Sequence, residues 1–324
     1  MITPAKLRSC SISARPWGQV WWAKFLTLNY AFPPKTTIEV EGWNNIPTDR
    51  SVCFAMNHTD RYNCWPFQWK LLREQQQFTV SWVKAKYYEH PAVASFLTAT
   101  SNIPLASRGY VIANQFRELI GRSPSGEEYR FIRDLLDYKI DASQENLIKQ
   151  SSECRQFLAP TPQSRLSALE EYFNELSQET VELNKKALNL GHHLMIFPQG
   201  TRSKRLLPGH SGMAQMTQAL GIDIVPIGCM GSDKCYAGNL PFASGGTVRY
   251  RIGKPLSLNG SQLGPYRIKE DFIPFSRAAQ QSHGDAFQNI TNIVMNEINS
   301  LLDEEYQFTP DSEQKKTPDV KRFI

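Results

Sequence analysis

Apolar and polar residues alternate through TTIEVEGW from Thr36, break at the turn NNIPTD, and give way to the apolar run SVCFAM, which ends in Asn57-His58. This pattern predicts a strand, a turn and a second strand. Arg61 to Gln77 intersperses Tyr62, Trp65, Phe67, Trp69, Leu71 and Leu72 with polar residues and predicts a helix with Pro66 in its first turn. FTVSWVKA (78–85) reads as a strand, His90-Pro91 opens a helix over VASFLTAT, and Asn102 starts a strand that runs into a basic loop at Arg108. Strand patterns resume at HLMIFPQGTRS from His193, IDIVPIGCMG from Ile222 and TVRYRIGKPLSL from Thr247. Between and after them, helices are predicted over Gly212 to Leu220 and Asp285 to Leu302. Such alternation predicts an α/β fold, a mainly parallel sheet flanked by helices.

Two stretches have a different texture. Gly121 to about Asn189 is poor in strand formers and broken at APTPQS, which predicts a helical insertion. In its last part, Leu166, Leu169, Tyr172, Phe173, Leu176, Val181 and Leu183 keep helical spacing. Pro16 to Pro33 is aromatic-rich, but Gly18, Gln19, Lys24 and Asn29 make it too polar for a spanning helix of ~20 apolar residues. Two readings of it stay open. It is an N-terminal amphipathic segment on a membrane surface, with Trp17, Trp21, Trp22, Phe25, Leu26 and Leu28 at the headgroup boundary and Arg15 and Lys35 facing anionic lipid, or it is a helix docked on the protein's own core. The resulting division is 1–35, then an α/β domain over 36–260 with the insertion at 121–189, a helical region over 261–304, and a polar tail over 305–324 expected to be loosely ordered.

The 324 residues are 41% hydrophobic and 21% charged, and mean hydropathy is −0.42, which excludes a polytopic membrane protein and wholesale disorder. A net charge of +5 is too small an excess to suggest a broad nucleic-acid footprint. The six cysteines form no C-x-x-C pair and no comb with histidine, so neither a metal site nor a disulfide framework is indicated. The first fifteen residues lack an apolar core of the kind a secretory signal carries, and reduced thiols in the cytoplasm are the expectation.

Candidate chemistry collects at two strand ends. His58 follows an apolar strand at a strand-to-helix junction, where ligand sites gather in α/β sheets. An imidazole of ordinary pKa ~6.5 suits proton removal from an alcohol once a neighbour fixes its tautomer. Phe197-Pro198-Gln199-Gly200-Thr201-Arg202-Ser203, then Lys204 and Arg205, is suited to an anion. Gly200 permits close backbone approach, Thr201 and Ser203 offer hydroxyls, and Arg202 offers a planar fork. Arg108 is a second basic residue at a strand end. His192, His193, His210, Cys229 and Cys235 show no catalytic or metal spacing and are assigned structural roles.

These blocks, in this order, resemble the glycerophospholipid acyltransferase family, in particular its lysophosphatidic acid acyltransferases. N-H-x-x-x-x-D of the family is similar to NHTDRYN at Asn57 to Asn63, and the family's arginine after Ile-Pro is similar to Ile103 to Arg108. F-P-E-G-T-R-S is similar to FPQGTRS, and V-P-I to Val225-Pro226-Ile227, while VEGWNNIP resembles the family's lead-in. The resemblance implies acyl transfer from acyl-CoA or acyl carrier protein, as co-substrate, to a hydroxyl of a lysophospholipid or glycerol phosphate, with no cofactor. It implies His58 as the base, and Arg108, Gln199, Gly200, Thr201 and Arg202 as the acceptor's phosphate site. Val225 and Pro226 take an acyl or structural role. It further implies a protein peripheral on the cytoplasmic face of a membrane.

Two departures both remove a carboxylate: Asn63 stands where the family has an acid, and Gln199 where it has glutamate. Asp60 is the nearby acid. It acts either as the cap of a helix starting at Arg61 or as a substitute partner for His58, and residue spacing on a helix favours the cap. Two alternatives to the active transferase are a non-catalytic paralogue that binds acyl chains or phospholipid, and a lipid or thioester hydrolase.

Overall fold

A computed structural model describes residues 1–309 except Asn239, and all of these but the side chain of Gln144. The expectation of a loose tail falls, from residue 310 on, outside the described residues. The part of that tail within them is anchored: Glu304–Tyr306 form a 3-10 turn, and Tyr306 is buried.

Helices α1 (Pro4–Ser9) and α2 (Trp17–Ala31) lead into strand β1 (Thr36–Glu41). Then follow β2 (Cys53–Met56), α3 (Trp65–Gln75), β3 (Thr79–Lys84), α4 (Pro91–Ala99) and β4 (Ile103–Leu105). After α5 (Arg108–Ile120) follow α6 (Gly126–Leu136), α7 (Gln144–Ile148), α8 (Ser152–Phe157) and the long α9 (Pro162–Asn189), so residues 121–189 are helical, with no strand among them. The chain returns through β5 (His193–Ile196), α10 (Gly212–Leu220), β6 (Ile224–Met230), α11 (Ser232–Cys235), β7 (Gly246–Ile252) and α12 (Arg277–Ser300). The protein is α/β: one seven-stranded sheet in the order β1-β7-β6-β2-β5-β3-β4, parallel except for the β6–β7 pair, with helices on both faces.

Strands β2, β5 and β6 are buried at every position, as central strands covered on both faces must be. Their side chains alternate between two cores. Cys53, Ala55, Leu194 and Ile196 join a core with α9, α10 and α12, while Phe54, Met56 and Met195 join another with Leu26 and Tyr30 of α2 and Phe67 and Leu71 of α3.

Some boundaries differ from expectation. The helix expected from Arg61 begins at Trp65, because Pro66 fits only a first turn and Tyr62 to Cys64 form an irregular turn ahead of it. Arg108 opens α5 rather than a basic loop, since Ser107 accepts the N–H of Tyr110 as an N-cap. The last helix starts at Arg277, capped by Ser276, eight residues before the periodicity begins. The docked-helix reading holds for part of the N-terminal segment, and Leu26, expected at a headgroup boundary, faces the core instead. Leu26 and Tyr30 of α2 are buried against the body, whereas Trp17, Trp21, Leu28 and neighbouring Phe32 are exposed. Apolar residues thus occupy opposite sides of α2, and Gln19, a polar residue, faces inward, donating to the carbonyls of Thr79 and Thr100.

Candidate active site

The parallel strands β2, β5 and β3 are neighbours, so their C-terminal ends bring together the segments after Met56, Ile196 and Lys84. Asn57 fixes the direction in which the chain leaves β2. Its amide donates to the Cys229 carbonyl at 2.9 Å and accepts the Cys229 N–H at 2.7 Å, locking the exit to β6. His58 comes next, followed by the turn that carries Asn63.

Asn63 is fully buried, and its own contacts set its orientation. Its Nδ2 donates to the Asn57 carbonyl at 2.8 Å, so Oδ1 points at His58 Nδ1, 3.0 Å away. Facing an acceptor oxygen, Nδ1 must carry the proton, and Nε2 is left as a lone pair. The hydroxyl of Tyr250 donates to the Asn63 carbonyl at 2.6 Å and holds the turn from below.

The FPQGTRS loop wraps the same histidine. Gln199 Oε1 accepts the His58 N–H at 2.9 Å, the Ser203 N–H donates to the His58 carbonyl at 2.8 Å, and the Phe197 ring stacks on the imidazole at 4.3 Å. Gly200 has φ +63°, and a Cβ there would lie 3.1 Å from the His210 ring. Burial, with the positive charges of Arg202 and Lys84, pulls His58 down to about 4, although the bond to Asn63 works the other way. Lys84 is itself lowered by burial and by Lys86 and Arg202. At neutral pH the site therefore holds an uncharged imidazole beside two cations, an arrangement able to accept a proton next to an anion.

The other predicted residues are placed as follows. Asp60 does not cap α3. Its carboxylate accepts the Tyr62 N–H at 2.8 Å and the Thr59 hydroxyl at 2.8 Å, closing the turn before Asn63, and it is Asn63 that pairs with the imidazole. Thr201 and Arg202 are exposed at the loop's tip. Arg108 is taken up elsewhere: its guanidinium donates to the Phe275 carbonyl at 3.1 Å, faces Asp137 at 3.6 Å and lies over the Phe173 ring at 5.3 Å. Val225 and Pro226 are buried in β6, in register with Phe54 and Ala55.

Sequence reasoning missed Lys84, whose only signal was a cation closing an apolar strand, and the packing of His210 on Gly200. It also missed the segment after α12. There the Tyr306 carbonyl accepts the Leu206 N–H at 2.8 Å, and Glu305 bridges Lys204 at 2.7 Å and Lys234 at 2.9 Å. The Tyr306 hydroxyl accepts the Gly231 N–H at 3.0 Å and donates to Asp233 at 2.8 Å.

Among solved structures, the 1-acyl-sn-glycerophosphate (LPA) acyltransferase PlsC from Thermotoga maritima is similar at 12% identity and a TM-score of 0.42, over 88% of this chain and 79% of that one. No curated protein matches the chain. The family model described as Acyltransferase matches residues 162–230, which include the FPQGTRS loop and β6. Through residues 162–230, this chain carries an acyltransferase-family segment.

Proposed function

We propose that the protein is an acyltransferase moving a fatty acyl group from an acyl thioester, acyl-CoA or acyl carrier protein, to a hydroxyl of a phosphate-bearing acceptor, a lysophospholipid or glycerol phosphate. The observation that carries this reading is the His58 Nδ1–Asn63 Oδ1 contact of 3.0 Å, which leaves Nε2 free as a base beside Arg202 and Lys84.

In this reading His58 Nε2 takes the acceptor's hydroxyl proton as the oxygen attacks the thioester carbonyl. Collapse of the tetrahedral intermediate breaks the C–S bond, and the thiolate leaves, taking the proton from the imidazolium. Arg202 and Lys84 hold the phosphate, and Gly200 lets the loop's backbone approach it. Arg108, engaged with Asp137 and Phe275, is left out of this site. Asn63 orients the imidazole but adds no charge to stabilise the imidazolium, so turnover is expected to be slow. That same neutrality favours, as a second reading, a paralogue that binds lipid without turnover.

The exposed Trp17, Trp21, Leu28 and Phe32 support docking on a membrane surface, where a lysophospholipid acceptor and the acylated product reside. No helix among the described residues is long and apolar enough to cross a membrane. The test is acyl transfer by purified protein with lysophosphatidic acid as acceptor. Product formed by the wild type and lost in His58→Ala supports the transferase, and lipid binding without product across donors leaves the second reading.

A further inference from the structure

Between α2 and the end of α3 runs an open groove of about 520 Å³. Arg15, Lys24 and Arg73 line it with the apolar Val20, Leu72 and Phe78, and its lining holds no carboxylate. Two of the three cations are met by rings: Lys24 lies over Trp21 at 4.8 Å, and Arg73 over Trp69 at 4.9 Å with a long contact of 3.5 Å to the Thr27 hydroxyl. Residues 1–38 contain Lys6, Arg8, Arg15, Lys24 and Lys35 and no aspartate or glutamate, and of these cations Arg8 is taken up by Glu175 and Glu179 of α9, at 3.3 and 2.6 Å. Beside the groove stand Trp17 and Trp21, each 64% exposed.

The groove is separate from the His58 site. Phe78 precedes β3, whose far end carries Lys84, and six strand residues set the two roughly 20 Å apart. Its chemistry is that of a bilayer's acidic surface: guanidinium forks and an ammonium for a phosphate diester, a short apolar wall for the upper acyl chain, and tryptophans for the headgroup boundary.

We infer that this groove binds the headgroup of an acidic phospholipid of the membrane and fixes how the protein sits on the leaflet, at a site distinct from the one that holds the acceptor. The inference rests on the membrane docking proposed above and adds to it a discrete headgroup site, in which Lys24 and Arg73 join Arg15.

The test is sedimentation with vesicles of phosphatidylcholine alone or with a quarter phosphatidylglycerol, comparing the wild type with Arg15→Gln/Lys24→Gln/Arg73→Gln. Loss of three cations should cut partitioning to the acidic vesicles roughly a hundredfold and leave the weak binding to phosphatidylcholine unchanged. If the triple variant fails to fold, Arg15→Glu/Lys24→Glu, at two exposed positions, replaces it with the same expectation. Equal binding of wild type and variant to acidic vesicles overturns the inference. So does equal binding of the wild type to both vesicle types, or displacement from acidic vesicles by millimolar inorganic phosphate at constant ionic strength, which would make this a site for a free anion. Because sedimentation needs no turnover, a protein silent in acyl transfer that still shows the cation-dependent preference removes the transferase reading alone.

Discussion

Replacing Asn63 by aspartate restores a carboxylate opposite His58, and the surroundings fix both what it costs and what it gains. The Asn63 Nδ2 donates to the Asn57 carbonyl at 2.8 Å, and a carboxylate oxygen in its place faces that carbonyl with no proton to offer. Losing this buried bond and leaving the carbonyl unsatisfied costs about 1–3 kcal/mol. At about 1.5 °C per kcal/mol for a chain of 324 residues, the melting temperature should fall by roughly 2–5 °C. The gain lies on His58. An anion within hydrogen-bond distance typically raises a histidine by ~1–3 pKa units, which starts here from about 4. A base must be deprotonated to act, so the acid limb of kcat/KM should move up from about pH 4 by that amount. Turnover at neutral pH should rise, since a carboxylate stabilises the imidazolium as an amide cannot; the converse change in a serine-protease triad costs ~10⁴. The assay is a pH–rate profile of acyl transfer for wild type and Asn63→Asp, with thermal melts alongside. An unmoved acid limb in a folded variant would refute the claim that Asn63 sets the basicity of His58.

Other expectations follow from the same geometry. His58 and His193 are each drawn down to about 4 by burial from 6.5, so the unfolded chain binds more protons between those values. Stability should be complete above pH 6.5 and fall on the order of a few kcal/mol as pH drops toward 4; urea midpoints that match at pH 7 and pH 5 would contradict this. Gly200→Ala places a Cβ 3.1 Å from the His210 ring at a φ of +63°. It should cost about 1–2 kcal/mol and raise acceptor KM more than it lowers kcat, and a change confined to kcat would count against a binding role for the loop. Tyr306→Phe removes the bonds to Gly231 and Asp233, and exchange of the Leu206 amide should quicken while far helices such as α6 stay protected. Uniform loss of protection would mean that the segment after α12 supports the whole fold rather than this loop.

Much of the fold was legible because central strands buried on both faces leave continuous apolar runs, as SVCFAM, HLMI and IVPIGCM do, and helices between them imply parallel pairing. The antiparallel β6–β7 pair was not legible, since strand direction depends on a connection whose path sequence does not encode. The His58–Asn63 contact followed the spacing of the first block. The engagement of Arg108 by Asp137 and Phe275 did not, because those partners lie after α6 and in a loop far along the chain. Lys84 was hidden for a related reason: a lone lysine at a strand end gains meaning only when β3 is seen to lie beside β5. Asp60 misled because the turn it closes resembles a helix start in sequence, while Pro66 defers that helix to Trp65.

The central claim is that His58 Nε2 is the base of an acyl transfer. The most direct measurement is single-turnover transfer of a radiolabelled acyl group from acyl-CoA, and from acyl carrier protein, to lysophosphatidic acid, with His58→Ala as the paired protein. Labelled phosphatidic acid should form with the wild type, and none above background with a folded His58→Ala. Equal product from both proteins would contradict the claim.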